Sequence, residues 1–199
     1  MIAVIDYGAG NLFSVHNALK FLGFENRVTA DPGVLRAADK LILPGVGAFP
    51  DAMNRLRQAG LDQAIRSEAL SGKPLLGICL GMQLLFEKGY EFEETEGLSL
   101  IDGYVDKILA PALKIPHMGW DEVEIVNPSP LTADINSGDR VYFVHSYKAV
   151  TAVSNINLAT QYGQLVPALV SRDNVHGAQF HPEKSGGVGL KILNAFGEL

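Results

Sequence analysis

Thiols are almost absent from this sequence of 199 residues: Cys79 is its single cysteine. An intrachain disulfide is therefore impossible, and a lone thiol is either a small buried hydrophobe or a nucleophile. Basic charge is also scarce. Sixteen Lys and Arg stand against 22 Asp and Glu, a formal net charge of -6. Such an acidic chain lacks the positive footprint of a nucleic-acid binder. No apolar run approaches the roughly 18 residues that suggest a membrane span. The opening MIAVIDYG is apolar but short, with no basic segment before it. It reads as a first strand rather than a signal peptide, and the chain is expected in the cytoplasm. Metal-ligand spacing is missing too, because one cysteine and the scattered His16, His117, His145, His176 and His181 make no zinc site. A dinucleotide fingerprint starts at Gly8-Ala9-Gly10 and fails. Its third glycine or alanine belongs at position 13, which is Phe13, and no acidic residue clearly ends the second strand. No metal and no cofactor are expected.

What remains is an ordinary globular balance, 47% hydrophobic and 19% charged. The length fits one domain over 1–199 with a sizeable core. The first half alternates apolar runs with amphipathic stretches. IAVID (2–6), ENRVTA (25–30), KLILPG (40–45) and PLLGIC (74–79) read as strands. Residues 11–22 and 50–70 read as helices, and a third helix follows from Leu80 to about Glu87. This alternation predicts an α/β fold, a mostly parallel sheet flanked by helices. Past the acidic loop EFEETEG (91–97) the pattern changes. LSLIDGYVDKI, WDEVEIV, RVYFVHSY and PALVS alternate between polar and apolar, with turn residues between them, and read as added antiparallel strands. GVGLKILNAF (187–196) closes as a helix.

GICLGMQ (77–83) carries the strongest chemical signal. Gly77 and Gly81 flank Cys79 in the G-x-C-x-G spacing of a nucleophile elbow, after a strand and opening a helix. A helix N-terminus favours thiolate, and the Leu80 amide can stabilise an oxyanion. A thiol nucleophile needs a base that can return a proton. QFHPEKS (179–185) offers His181, with Glu183 placed to orient it. HPE alone is a weak signal that fits a structural histidine better; downstream of the elbow it reads as the rest of a triad. PGVGAF (44–49) is a glycine-bearing loop at the carboxyl end of a strand, where α/β folds place ligands. It fits a second oxyanion donor or an ordinary strand-to-helix turn.

PGVG, GICLGMQ and FHPEKS together, in this order, resemble the class I, or triad, glutamine amidotransferases. The additional strings YGAGN (7–11), PHMGW (116–120) and YFVHSY (142–147) are similar to one family within them, the glutaminase subunits of imidazole glycerol phosphate synthase. The resemblance runs from Ile2 to Phe196. It implies a class I amidotransferase fold and L-glutamine as substrate. It further implies that Cys79 attacks the carboxamide, that His181 moves the proton, and that Glu183 orients His181. Gly45, Val46, Gly47 and Leu80 match the oxyanion site. Gln83 and Glu91 match residues holding the α-amino and α-carboxylate end of glutamine. His145, Ser146 and Tyr147 match a strand lining the same pocket. The implied partner is a (β/α)8-barrel cyclase subunit in a heterodimer, faced by Asn11 and by His117, Met118 and Trp120 of PHMGW. Ammonia would react there with the phosphorylated precursor PRFAR to give imidazole glycerol phosphate and AICAR in histidine biosynthesis. Subunits serving aminobenzoate, anthranilate or pyridoxal phosphate synthesis share the catalytic strings but not PHMGW. A stand-alone cysteine hydrolase and a silent binding module are the readings from other classes.

Overall fold

The computed structural model describes residues 1–199. Strands β1 (Ile2–Ile5), β2 (Asn26–Thr29), β3 (Lys40–Gly45) and β4 (Leu75–Cys79) alternate with helices α1 (Leu12–Phe21), α2 (Pro32–Ala37), α3 (Phe49–Gln58) and α4 (Leu61–Leu70). The first turn after Cys79 is α5 (Leu80–Gln83). Then follow β5 (Phe86–Gly89), β6 (Thr95–Glu96), β7 (Ile101–Lys107), β8 (His117–Glu122), β9 (Glu124–Ile125), β10 (Arg140–His145), β11 (Tyr147–Val150), β12 (Ile156–Gln161), β13 (Leu165–Arg172) and β14 (Val175–Ala178), and α6 (Gly186–Glu198) ends the chain.

Eight strands form the main sheet in the order β2-β1-β3-β4-β14-β13-β12-β9. The pairings from β2 to β14 are parallel, and those from β14 through β13 and β12 to β9 are antiparallel. The parallel strands are apolar throughout because both faces are covered. Successive side chains leave a strand on opposite sides. Ala3, Ile5, Leu41 and Leu43 therefore join the core under α2, α3 and α4. Ile2, Val4 and Ile42 join the other core, with Val15 and Leu19 of α1 and Ile192 and Phe196 of α6. The added antiparallel strands are there as the alternating pattern predicts, and two smaller sheets, β10-β8 and β11-β7-β5-β6, complete them.

Three expectations need correction. The helix read over 50–70 is two helices, broken at Gly60, whose φ of +66° lies in the left-handed region. Apolar periodicity continues across the break, so periodicity alone could not reveal it. The helix expected from Leu80 to Glu87 is a single turn ending at Gln83, after which the chain enters β5. Leu84, Leu85 and Phe86 are all buried, and such an apolar run reads alike as helix or strand. Finally, α2 was not anticipated. Pro32 occupies its first turn and the Asp31 side chain accepts from the Gly33 N–H at 2.7 Å, an N-cap followed by a preorganised proline.

β14 positions the site. It lies beside β4 in parallel register, Ala178 opposite Ile78. On the other side of β4, Gly45 of β3 pairs with Cys79. The carboxyl ends of three neighbouring strands thus release the PGVG loop, Cys79 and the QFHPEKS segment side by side.

Candidate active site

Cys79 ends β4 at φ 55° and ψ −112°, a conformation that side-chain-bearing residues seldom adopt and that costs on the order of 1–3 kcal/mol. The surrounding packing enforces it. A Cβ on Gly81 would lie 1.8 Å from the Leu43 carbonyl oxygen, so only glycine lets α5 sit against β3. The thiol is 7% exposed. Its Sγ lies 3.9 Å from the Val144 carbonyl oxygen and 3.9 Å from Gln179 Nε2. Because α5 is one turn long, the macrodipole invoked from sequence is small, and neighbouring side chains dominate the thiol's surroundings.

His181 meets Glu183 through Nδ1 and Oε1 at 2.8 Å, with the Glu183 side chain wholly buried. A carboxylate accepts only, so Nδ1 carries the proton and Nε2 is left for other chemistry. Asn11 Nδ2 donates to the same Oε1 at 3.2 Å. Burial alone would lower the basicity of His181. Hydrogen bonding and charge from Cys79 and Glu183 outweigh it and raise the imidazole pKa to about 9. Nε2 is buried and has no well-formed hydrogen bond in this resting arrangement, yet Cys79 is close enough to favour the imidazolium. The turn that holds this pair is clamped by β10. The His181 N–H donates to the Tyr142 carbonyl at 3.0 Å, while Ser185 Oγ accepts from the Tyr142 N–H and donates to the His181 carbonyl.

A cavity of about 310 Å³ opens onto the thiol, and its walls gather segments far apart in sequence: Val46 and Gly47, Cys79, Leu80 and Gln83, Glu91, His145, Ser146 and Tyr147, and His181. Gly45 and Glu183 are not among these walls; Gly45 directly precedes Val46 and Glu183 bonds His181. Gln83 Nε2 donates to the Tyr147 carbonyl at 3.1 Å and to Gln179 Oε1 at 2.9 Å. Glu91, read from sequence as a ligand for glutamine, also has a local duty: its Oε2 accepts from the Phe49 N–H at 2.8 Å, capping α3 just past the PGVG loop. Burial raises its pKa, and the Phe49 hydrogen bond opposes that. His145 is held neutral, pushed down to about 4 chiefly by burial. Its Nδ1 pairs with the Tyr147 carbonyl at 2.7 Å and its Nε2 with His117 Nδ1 at 3.1 Å.

His117 corrects the interface reading. It is 2% exposed and stacks on Tyr162, whereas Met118 and Trp120 are 60% and 54% exposed. PHMGW is mostly a strand, and alternation along β8 sends His117 inward while Met118 and Trp120 face out together. Asn11, partly exposed, donates to Glu183. Gln179 was missed by sequence reading. It is fully buried and touches both the thiol and Gln83. A polar residue ending the buried run GAQF was the available signal, since buried polar groups are the informative ones.

A model of the glutamine amidotransferase class-I family matches residues 3–197. The chain belongs to the class-I glutamine amidotransferases. Among its relatives in this family, imidazole glycerol phosphate synthase subunit HisH of Lactococcus lactis subsp. lactis (strain IL1403) is 51% identical over 196 residues, 98% of this chain and 96% of the relative. The protein of the same name from Caldanaerobacter subterraneus subsp. tengcongensis is 50% identical, covering all of this chain and 98% of that one. Solved structures share the fold at low identity. One described as the crystal structure of glutamine amidotransferase superposes with TM-score 0.77 at 19% identity, covering 99% of this chain and 100% of that one. PurLQS from Thermotoga maritima superposes at 0.76 and 23%, covering 98% and 96%. In this amidotransferase a thiol and an imidazole backed by a buried carboxylate border one cavity, a nucleophile and proton-transfer pair of the kind that acyl transfer through a thioester requires. No helix is long and apolar enough to cross a membrane.

Proposed function

We propose that this chain is the glutaminase subunit of imidazole glycerol phosphate synthase, hydrolysing glutamine and passing the ammonia to a cyclase subunit in histidine biosynthesis. The observation that carries the chemistry is the buried His181–Glu183 pair at 2.8 Å, its second ring nitrogen unengaged beside the Cys79 elbow. Cys79 Sγ attacks the carboxamide carbon. The oxyanion that forms is held by the Leu80 amide and by the Val46 amide of the PGVG loop. His181 Nε2–H gives its proton to the departing nitrogen, ammonia leaves, and a thioester remains. The imidazole then takes a proton from water, which attacks the thioester carbon and releases glutamate and the thiol. The α-amino and α-carboxylate end of glutamine occupies the far wall, at Gln83, Glu91 and the strand His145–Tyr147.

The partner is a cytoplasmic barrel cyclase whose substrate is PRFAR, and Met118 and Trp120 are the apolar contacts offered to it. Hydrolysis without an acceptor wastes ammonia, so the free chain is a poor glutaminase. The Gly45–Val46 peptide is the gate, lying in a loop whose glycines let it turn over at small steric cost. Losing one oxyanion donor costs about 2.7–4 kcal/mol, or about 10²–10³ in rate. The test is glutamate release by the chain alone, with the cyclase, and with cyclase plus PRFAR. A steep rise at the last step is expected, together with single labelling at Cys79 by a glutamine-mimicking diazo-ketone. Full activity of Cys79→Ala removes the chemical assignment, and equal rates in the three conditions remove the gate.

A further inference from the structure

Tyr7 is the buried polar group the mechanism leaves unused. Its ring belongs to the core beneath the loop and is 6% exposed. Its hydroxyl is buried with no hydrogen-bond partner, a condition that is costly and rare. The hydroxyl lies against the gate itself: a Cβ built on Gly45 would be 2.8 Å from Tyr7 Oη. Tyr7 is not part of the cavity wall, whereas Val46 and Gly47, the next residues, are. Gly45, the residue before them, lies against the phenol. The phenol's pKa is raised, first by burial and then by the nearby Cys79, so it is a neutral donor throughout the working pH range.

In a trans peptide the C=O and the following N–H point in opposite directions. Turning the Val46 N–H into the cavity carries the Gly45 carbonyl away from it, and the unpaired phenol is the buried donor lying against Gly45. We propose that Tyr7 is a positioning residue whose hydroxyl donates to the Gly45 carbonyl when the Val46 amide faces the oxyanion, holding the loop in its competent orientation. In the resting structure that hydrogen bond is absent. The hydroxyl gains a partner only when the peptide is turned, so it favours that orientation over the resting one. This rests on the gate proposed above and names the group that holds it open.

The test compares wild type, Tyr7→Phe and Tyr7→p-aminophenylalanine, each bound to the cyclase with PRFAR. Tyr7→Phe should lower the stimulated kcat about fivefold, the weight of one ordinary hydrogen bond, with KM for glutamine within about twofold. The Tm of the free chain should hold or rise, since the variant deletes an unpaired buried hydroxyl. The amino variant keeps a donor and should recover most of kcat. A stimulated kcat unchanged in Tyr7→Phe overturns the proposal while leaving the gate standing. A fall in kcat that tracks a fall in Tm overturns it in favour of plain packing. A wild type that PRFAR does not stimulate removes the gate and Tyr7's role with it.

Discussion

Changing Glu183 to Gln should move the alkaline limit of glutamine hydrolysis toward acid, by part of the distance between about 9 and 6.5. The carboxylate is wholly buried and 2.8 Å from His181 Nδ1. It shares with Cys79 the work of raising His181 from 6.5 to about 9 against burial, which pulls the other way. Glutamine has the same shape and can still accept the hydrogen bond, so ring orientation is largely kept while the charge is lost. Each pH unit of that move corresponds to about 1.4 kcal/mol and cuts the imidazolium fraction above the pKa about tenfold. The imidazolium is the acid that protonates the leaving ammonia, so activity exists below the His181 pKa and is lost as pH rises through it, near 9 in the wild type. Stability follows the same sign. A histidine whose folded pKa is raised contributes stability fully present below about pH 6.5 and gone above about 9, so the variant should lose most stability in the acid range. The assay is glutamate release by the cyclase complex with PRFAR between about pH 6 and 10, with urea unfolding of the free chain at both ends. An alkaline limb that stays at the wild-type pH while the plateau falls would show that Glu183 acts by orientation alone and would refute the charge argument.

Two further outcomes follow from packing and burial. Gly81→Ala drives a Cβ to within 1.8 Å of the Leu43 carbonyl oxygen, and about 3 kcal/mol of strain should lower Tm by roughly 6–12 °C. Gly187→Ala in α6 meets no atom within 4 Å, so calorimetry finding the two variants equally stable would contradict the close contact at the elbow. His176 is pushed down to about 4 by burial, with Nδ1 unpaired, as His145 is for the same first cause. Each therefore withdraws stability as pH falls from about 6.5 toward 4, on the order of 3 kcal/mol apiece. His176→Leu should accordingly shift the urea midpoint upward more at pH 4.5 than at pH 7, and a shift equal at both pH values would show that this histidine does not titrate on unfolding.

The sequence by itself determined the parallel strands, the outer antiparallel additions, the elbow at Cys79 and the His181–Glu183 pair. These are local matters. An apolar run bounded by turns declares a strand buried on both faces, glycines two residues either side of a thiol declare a tight turn, and a histidine two residues from a carboxylate can reach it within one turn. Where local signals were ambiguous or silent, reading failed: the helix break at Gly60 sits inside continuous apolar periodicity, and LLF at 84–86 fits helix and strand alike. Everything that depends on which segments meet was decided by the tertiary structure. Register between β14 and β4 sets Gln179 beside the thiol. The alternation of β8 turns His117 inward and Trp120 outward. The crossing of the first loop over β3 brings the hydroxyl of Tyr7 to Gly45, thirty-eight positions away in the chain. Such contacts arise from strand order and sheet register, which bring together side chains that neither composition nor spacing links.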